Sequence, residues 1–120
     1  MANFRFQDLE IWQLAIELAR KLSVIADDLE AKKKYRFAEQ LNGAALSISN
    51  NIAEGSGSKS TKDFINFLNF AHRSVFENAN MVMFFNQSGY ISDTDLALLL
   101  EDLDKLARKI TSFQKYLSSK

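Results

Sequence analysis

The chain has 120 residues, about one domain's worth. Fifteen Lys and Arg balance fifteen Asp and Glu, which excludes a strongly basic grip on nucleic acid or an acidic solvating tail at whole-chain level. Cysteine and proline are both absent, so disulfides, thiolate metal sites and cysteine nucleophiles are excluded and no proline interrupts a long helix.

Met1–Asp8 has no apolar stretch followed by a cleavage pattern, and charges break every later apolar run well short of a bilayer span. A cytoplasmic protein with no membrane partner is expected. From there the apolar residues recur at helical spacing. Ile11, Leu14, Leu18, Leu22, Ile25 and Leu29 step by three or four and predict a helix over about 8–29. Its stripe lapses across the charged run Asp27–Lys34, where a break is placed although no glycine marks it. Phe37, Leu41, Ala45, Ile48 and Ile52 predict the second helix, 35–54, with Gly55 expected to take the left-handed conformation that ends it. Phe64, Leu68, Ala71, Val75, Asn78, Val82 and Phe85 predict the third, 61–87, capped by Ser60 or Thr61 and closed by Gly89. Leu96, Leu99, Leu103, Leu106, Ile110, Phe113 and Leu117 predict the fourth, 92–117. Short connections make neighbours antiparallel, so the expected fold is all-α, an antiparallel up-down-up-down four-helix bundle in one domain over 1–120.

Ten phenylalanines are many for this length, and six fall in the third helix. They cannot share one core stripe of ~100°. Phe67, Phe70, Phe76, Met81 and Phe84 are therefore expected at a subunit interface, since soluble monomers rarely expose large apolar patches.

Chemistry is harder to find. His72 is the only histidine, no nucleophile accompanies it, and no Glu-x-x-His pair suggests a di-metal bundle. Gly55-Ser56-Gly57-Ser58-Lys59-Ser60 lacks the spacing of a phosphate-binding loop and follows a helix instead of a strand. No catalytic residue, metal or cofactor is assigned. Two basic groups could contact nucleic acid: Lys32, Lys33, Lys34 and Arg36 at the first connection, and Lys105, Arg108 and Lys109 on the fourth helix. A symmetric ring would repeat either patch on every subunit.

The stretch Ser47-Ile48-Ser49-Asn50-Asn51-Ile52-Ala53-Glu54-Gly55 is polar where helix propensity does not favour it. Asn51 sits beside the inward-facing Ile48 and Ile52, and Ser74, Glu77 or Asn78 on the third helix could supply its partners. Ser47-Ile48-x-x-Asn51-Ile52-Ala53-Glu54-Gly55 resembles the S-I-x-x-N-I-A-E-G signature of the four-helix-bundle proteins encoded in 23S rRNA intervening sequences. Phe6-x-Asp8-Leu9-x-x-Trp12, Gln40-Leu41, Phe64-x-x-Phe67-Leu68, Ala71-x-x-Ser74, Glu77 and Gly89-Tyr90-Ile91 are similar too. The resemblance implies a bacterial four-helix bundle that assembles as a homopentameric ring and carries no catalytic activity. Relatives among the accessory proteins of diversity-generating retroelements pair such a pentamer with a reverse transcriptase and bind nucleic acid. Members usually carry arginines after the Gln-Leu pair, where this chain has Asn42-Gly43, and a proline before the second helix, which is missing here. Gly43 is expected to admit a close helix approach. The sequence thus points to a non-enzymatic, ring-forming assembly or accessory module. Its alternative is RNA or DNA binding, with nucleic acid or a nucleic-acid-processing protein as partner.

Overall fold

A computed structural model describes residues Met1–Lys120. The short 3-10 turn Arg5–Asp8 leads into four helices: α1 (Glu10–Ala31), α2 (Tyr35–Ser56), α3 (Thr61–Gln87) and α4 (Asp93–Ser118). They form an antiparallel four-helix bundle with no strand. At ~1.5 Å rise per residue the 27-residue α3 is about 40 Å long, which accounts for most of the 47 Å long axis.

One stripe per helix builds the core. Leu18, Leu22 and Leu29 of α1 meet Leu41, Ile48 and Ile52 of α2, Leu68, Val82 and Phe85 of α3, and Leu103, Leu106 and Ile110 of α4, all essentially buried. Each of these large side chains contributes about 1.5–3 kcal/mol relative to exposure. The seam between α1 and α4 is bridged at its surface by Lys21–Asp102 at 2.9 Å and Lys109–Glu10 at 3.1 Å. The hydrogen bond that Lys21 donates to Asp102 holds its ammonium above the usual lysine value of 10.5. That contribution is complete below the ordinary lysine value and disappears as pH rises past the raised one. Both groups are well exposed, which limits it to about 0–1 kcal/mol.

The helix ends explain where the chain turns. At the end of α1, Lys34 N–H donates to Leu29 O at 2.8 Å and Lys33 N–H to Glu30 O at 2.9 Å, a Schellman closure with Lys33 at φ 64°. A lysine here occupies the left-handed position that glycine usually fills. Gly89 fills the same position after α3, at φ 85°. Ser60 and Ser92 cap α3 and α4, each side chain accepting from the backbone N–H three residues on at 3.1 Å.

Two glycines depart from expectation. Gly55 is not a left-handed terminator: it lies within α2, buried, and the chain turns after Gly57, whose φ is −86°. A Cβ at position 55 would meet Phe64 Cδ1 and Phe67 Cβ, each at 2.8 Å, so the missing side chain lets α3 approach the end of α2. Gly43 does not admit a close approach, because nothing lies within 4 Å of its Cβ direction. The two alanine substitutions should therefore shift melting in opposite directions. Gly43→Ala raises stability by ~0.5–1 kcal/mol through helix propensity alone. Gly55→Ala lowers it by ~1–2 kcal/mol, because overpacking against Phe67 Cβ outweighs that gain. Thermal melts followed by circular dichroism check both signs.

Candidate functional site

The polar residues of α2 and α3 meet on one side of the bundle. Ser47 and Ser74 share a hydrogen bond between their hydroxyls at 2.8 Å, joining α2 to α3. Asn51 stays on its own helix: its Nδ2 donates to Ser47 O at 2.8 Å and contacts Ser47 Oγ at 3.3 Å. Its cross-helix role belongs instead to Asn78, fully buried, whose Nδ2 donates to Ala44 O of α2 and to Ser74 O, each at 2.8 Å. The sequence offers Asn78 as a partner for Asn51; its amide reaches the Ala44 carbonyl of α2 instead. The period gave its position, but only the packed pair of helices brings Ala44 O within reach.

Ser47, Asn51, Phe70, Arg73, Ser74 and Glu77 line an open groove of about 440 Å³ between α2 and α3. Arg73 and Glu77 are exposed and make no ion pair within the chain. The rest of the signature does other work. Ile48 and Ile52 are core, Ala53 is half-buried, Glu54 is exposed, and Gly55 sets the α2–α3 approach.

The phenylalanines of α3 divide between inside and outside. Phe64 and Phe85 are buried, and Phe67 and Met81 half-buried. Phe70, Phe76 and Phe84 are 41%, 64% and 48% exposed, with Met83 at 43%. They flank an outer crest of Asn66, Arg73, Asn80 and Gln87, spaced by seven residues. On the α2 flank Phe70 borders the groove and Phe84 packs edge-on to Phe37 at 5.6 Å. On the α4 flank Phe76 and Met83, with Ala79, Leu100 and Leu103, form an apolar groove of about 250 Å³.

Charge follows the opposite pattern. Helices α1 and α4 carry sixteen Asp, Glu, Lys and Arg between them, α2 and α3 only seven. All four ion pairs involve residues of α1 or α4. No charged residue falls between Glu39 and Glu54, or between Glu77 and Asp93.

The basic residues stay apart. Lys32, Lys33, Lys34 and Arg36 are exposed at the α1–α2 turn, where the Lys32 and Lys34 ammonium groups lie 5.8 and 5.9 Å from the Tyr90 ring centre. Lys32 is also paired with Asp28 at 2.7 Å. Lys105, Arg108 and Lys109 begin twelve residues into α4, ~18 Å along its axis from the first residue. Arg108 pairs with Asp104 and Lys109 with Glu10. No group of three His, Asp or Glu side chains converges in a metal-holding arrangement, and no helix is long and apolar enough to cross a membrane.

Asn78 gives the sharpest test of the α2–α3 network. Asn78→Asp sets a buried carboxylate against two carbonyl oxygens, at a cost of about 2–4 kcal/mol near neutral pH. Melting temperature should fall by on the order of 10 °C and partly recover as acid protonates the new carboxyl, which can then donate. An unchanged melt would remove Asn78 from the network.

Comparison with known proteins follows the fold. The chain matches a crystal structure of a protein of unknown function from the S23 ribosomal protein family of Bacteroides thetaiotaomicron, at TM-score 0.82 and 23% identity over 88% of this chain and 98% of that one. That likeness establishes a shared fold. No curated protein matches the chain. The family model for the 23S rRNA-intervening sequence protein matches residues 7–112, nearly the whole bundle. The chain belongs to the 23S rRNA-intervening sequence protein family.

Proposed function

We propose that this protein is a non-enzymatic subunit of a homo-oligomer, a ring-forming assembly or accessory module whose contact surface is the outer face of α3. The observation that carries this is the asymmetry of the bundle surface: α1 and α4 are laced with charge, while α3 exposes Phe70, Phe76, Met83 and Phe84 around almost none. Solvent selects against such a face in a monomer, and burial against another copy removes its cost.

A ring of five, as the family resemblance suggests, is the expected closure. Nucleic-acid binding has less support: Lys32 of the α1–α2 turn and Arg108 and Lys109 of α4 already have acidic partners, which leaves Lys33, Lys34 and Arg36 at one place and Lys105 at another.

Light scattering after gel filtration tests the proposal. At micromolar concentration the wild-type mass should be a multiple of 13.7 kDa. A Phe76→Glu, Phe84→Glu variant should run as a folded monomer, because both side chains are exposed and their loss removes little core. A monomeric wild-type chain contradicts the proposal.

A further inference from the structure

We infer that adjoining copies pack α3 beside α3 in a head-to-tail manner, the Phe70 and Phe84 flank of one copy against the Phe76 and Met83 flank of the next, with Glu77 of the first copy paired to Arg73 of the second. This deepens the proposed assembly and rests on it. The first support is the arrangement of the apolar side chains. At ~100° per residue Phe70 and Phe84 lie on one side of the α3 crest, and Phe76 and Met83 roughly 110° away on the other. Their neighbours confirm the sides: Phe84 packs on Phe37 of α2, while Phe76 and Met83 join Leu100 and Leu103 of α4.

A two-fold dimer uses one patch twice. Two different apolar flanks on a single helix are what a heterologous contact requires, because each copy shows one flank to each neighbour. The α4 flank is concave, a groove of about 250 Å³, and the exposed Phe70 and Phe84 rings of a second copy are apolar occupants for it.

The charges supply the register. Arg73 and Glu77 are the only Asp, Glu, Lys or Arg between Asp63 and Asp93, and neither is paired within the chain. Their order, Arg four residues before Glu, is the weaker orientation for pairing along one helix. Covering the face with both unpaired would strand two desolvated charges. A parallel neighbour places its Arg73 about one helical turn along the axis from Glu77, within reach of two long side chains.

Two experiments on the full chain decide this. Arg73→Glu and Glu77→Arg, each alone, should weaken assembly at least tenfold in sedimentation equilibrium, and the double exchange should restore it. Circular dichroism confirms that each variant is folded. Because the chain has no cysteine, disulfide trapping is free of background. Phe84→Cys with Met83→Cys, on opposite flanks and one residue apart along the axis, should give, after oxidation, a ladder of covalent multimers on a denaturing gel, while Phe84→Cys alone stays a single chain. Efficient dimers from Phe84→Cys alone, no ladder from the pair, or single charge reversals without effect on an assembled wild type would each overturn the head-to-tail contact. A wild-type chain that is monomeric from the outset instead overturns the assembly proposal beneath it.

Discussion

The close contact between α2 and α3 is the constraint on which the rest of the molecule depends. Gly55 removes the Cβ that would strike Phe64 and Phe67, so the two helices converge where the chain turns between them. Farther along, the Ser47–Ser74 hydroxyl pair and the Asn78 amide tie the same helices together through polar atoms. Buried hydrogen bonds demand a particular register, since a shifted helix leaves carbonyls and amides unpaired at a cost of about 1–3 kcal/mol each. The apolar stripes alone would tolerate more than one alignment; the glycine and the amide select one.

That alignment also decides what α3 shows to solvent. With Phe64, Leu68, Val75, Val82 and Phe85 committed to the core and Phe67 half-buried against Gly55, Phe70, Phe76 and Phe84 face outward. The cost of exposing them is relieved only by a partner, whereas α1 and α4 present the charges that keep their side soluble. One bundle thus has a charged side and an apolar side, and the latter is the contact surface we propose. The half-polar groove of Ser47, Asn51, Arg73 and Glu77 borders it and would supply the directionality that apolar contact lacks.

Much of this was legible in the sequence. Helical periodicity gave the four-helix bundle, because a 3.6-residue repeat follows from the backbone and needs no tertiary information. The phenylalanine surplus and wheel geometry placed Phe70, Phe76 and Phe84 outside the core, but Phe67 and Met81, expected beside them, are half-buried and Met83 is exposed in their place. Other features depended on the third dimension. Lys33 carries no sign that it takes a left-handed conformation normally given to glycine. Gly55, expected to end α2, faces an aromatic ring, while Gly43, expected to admit a helix, faces open space, and only the packed helices tell them apart. The transfer of the cross-helix bond from Asn51 to Asn78 depends on which carbonyl lies opposite, and no one-dimensional pattern records that.

The central claim is that the outer face of α3 is covered in solution, and hydroxyl-radical footprinting of the native protein at micromolar concentration measures that directly. Phe70, Phe76, Met83 and Phe84 should be protected, while Tyr116, Val24 and Leu98, equally exposed in the single chain but on α1 and α4, are modified freely. Modification of the α3 side chains as fast as Tyr116 would show that face open to water and contradict the account.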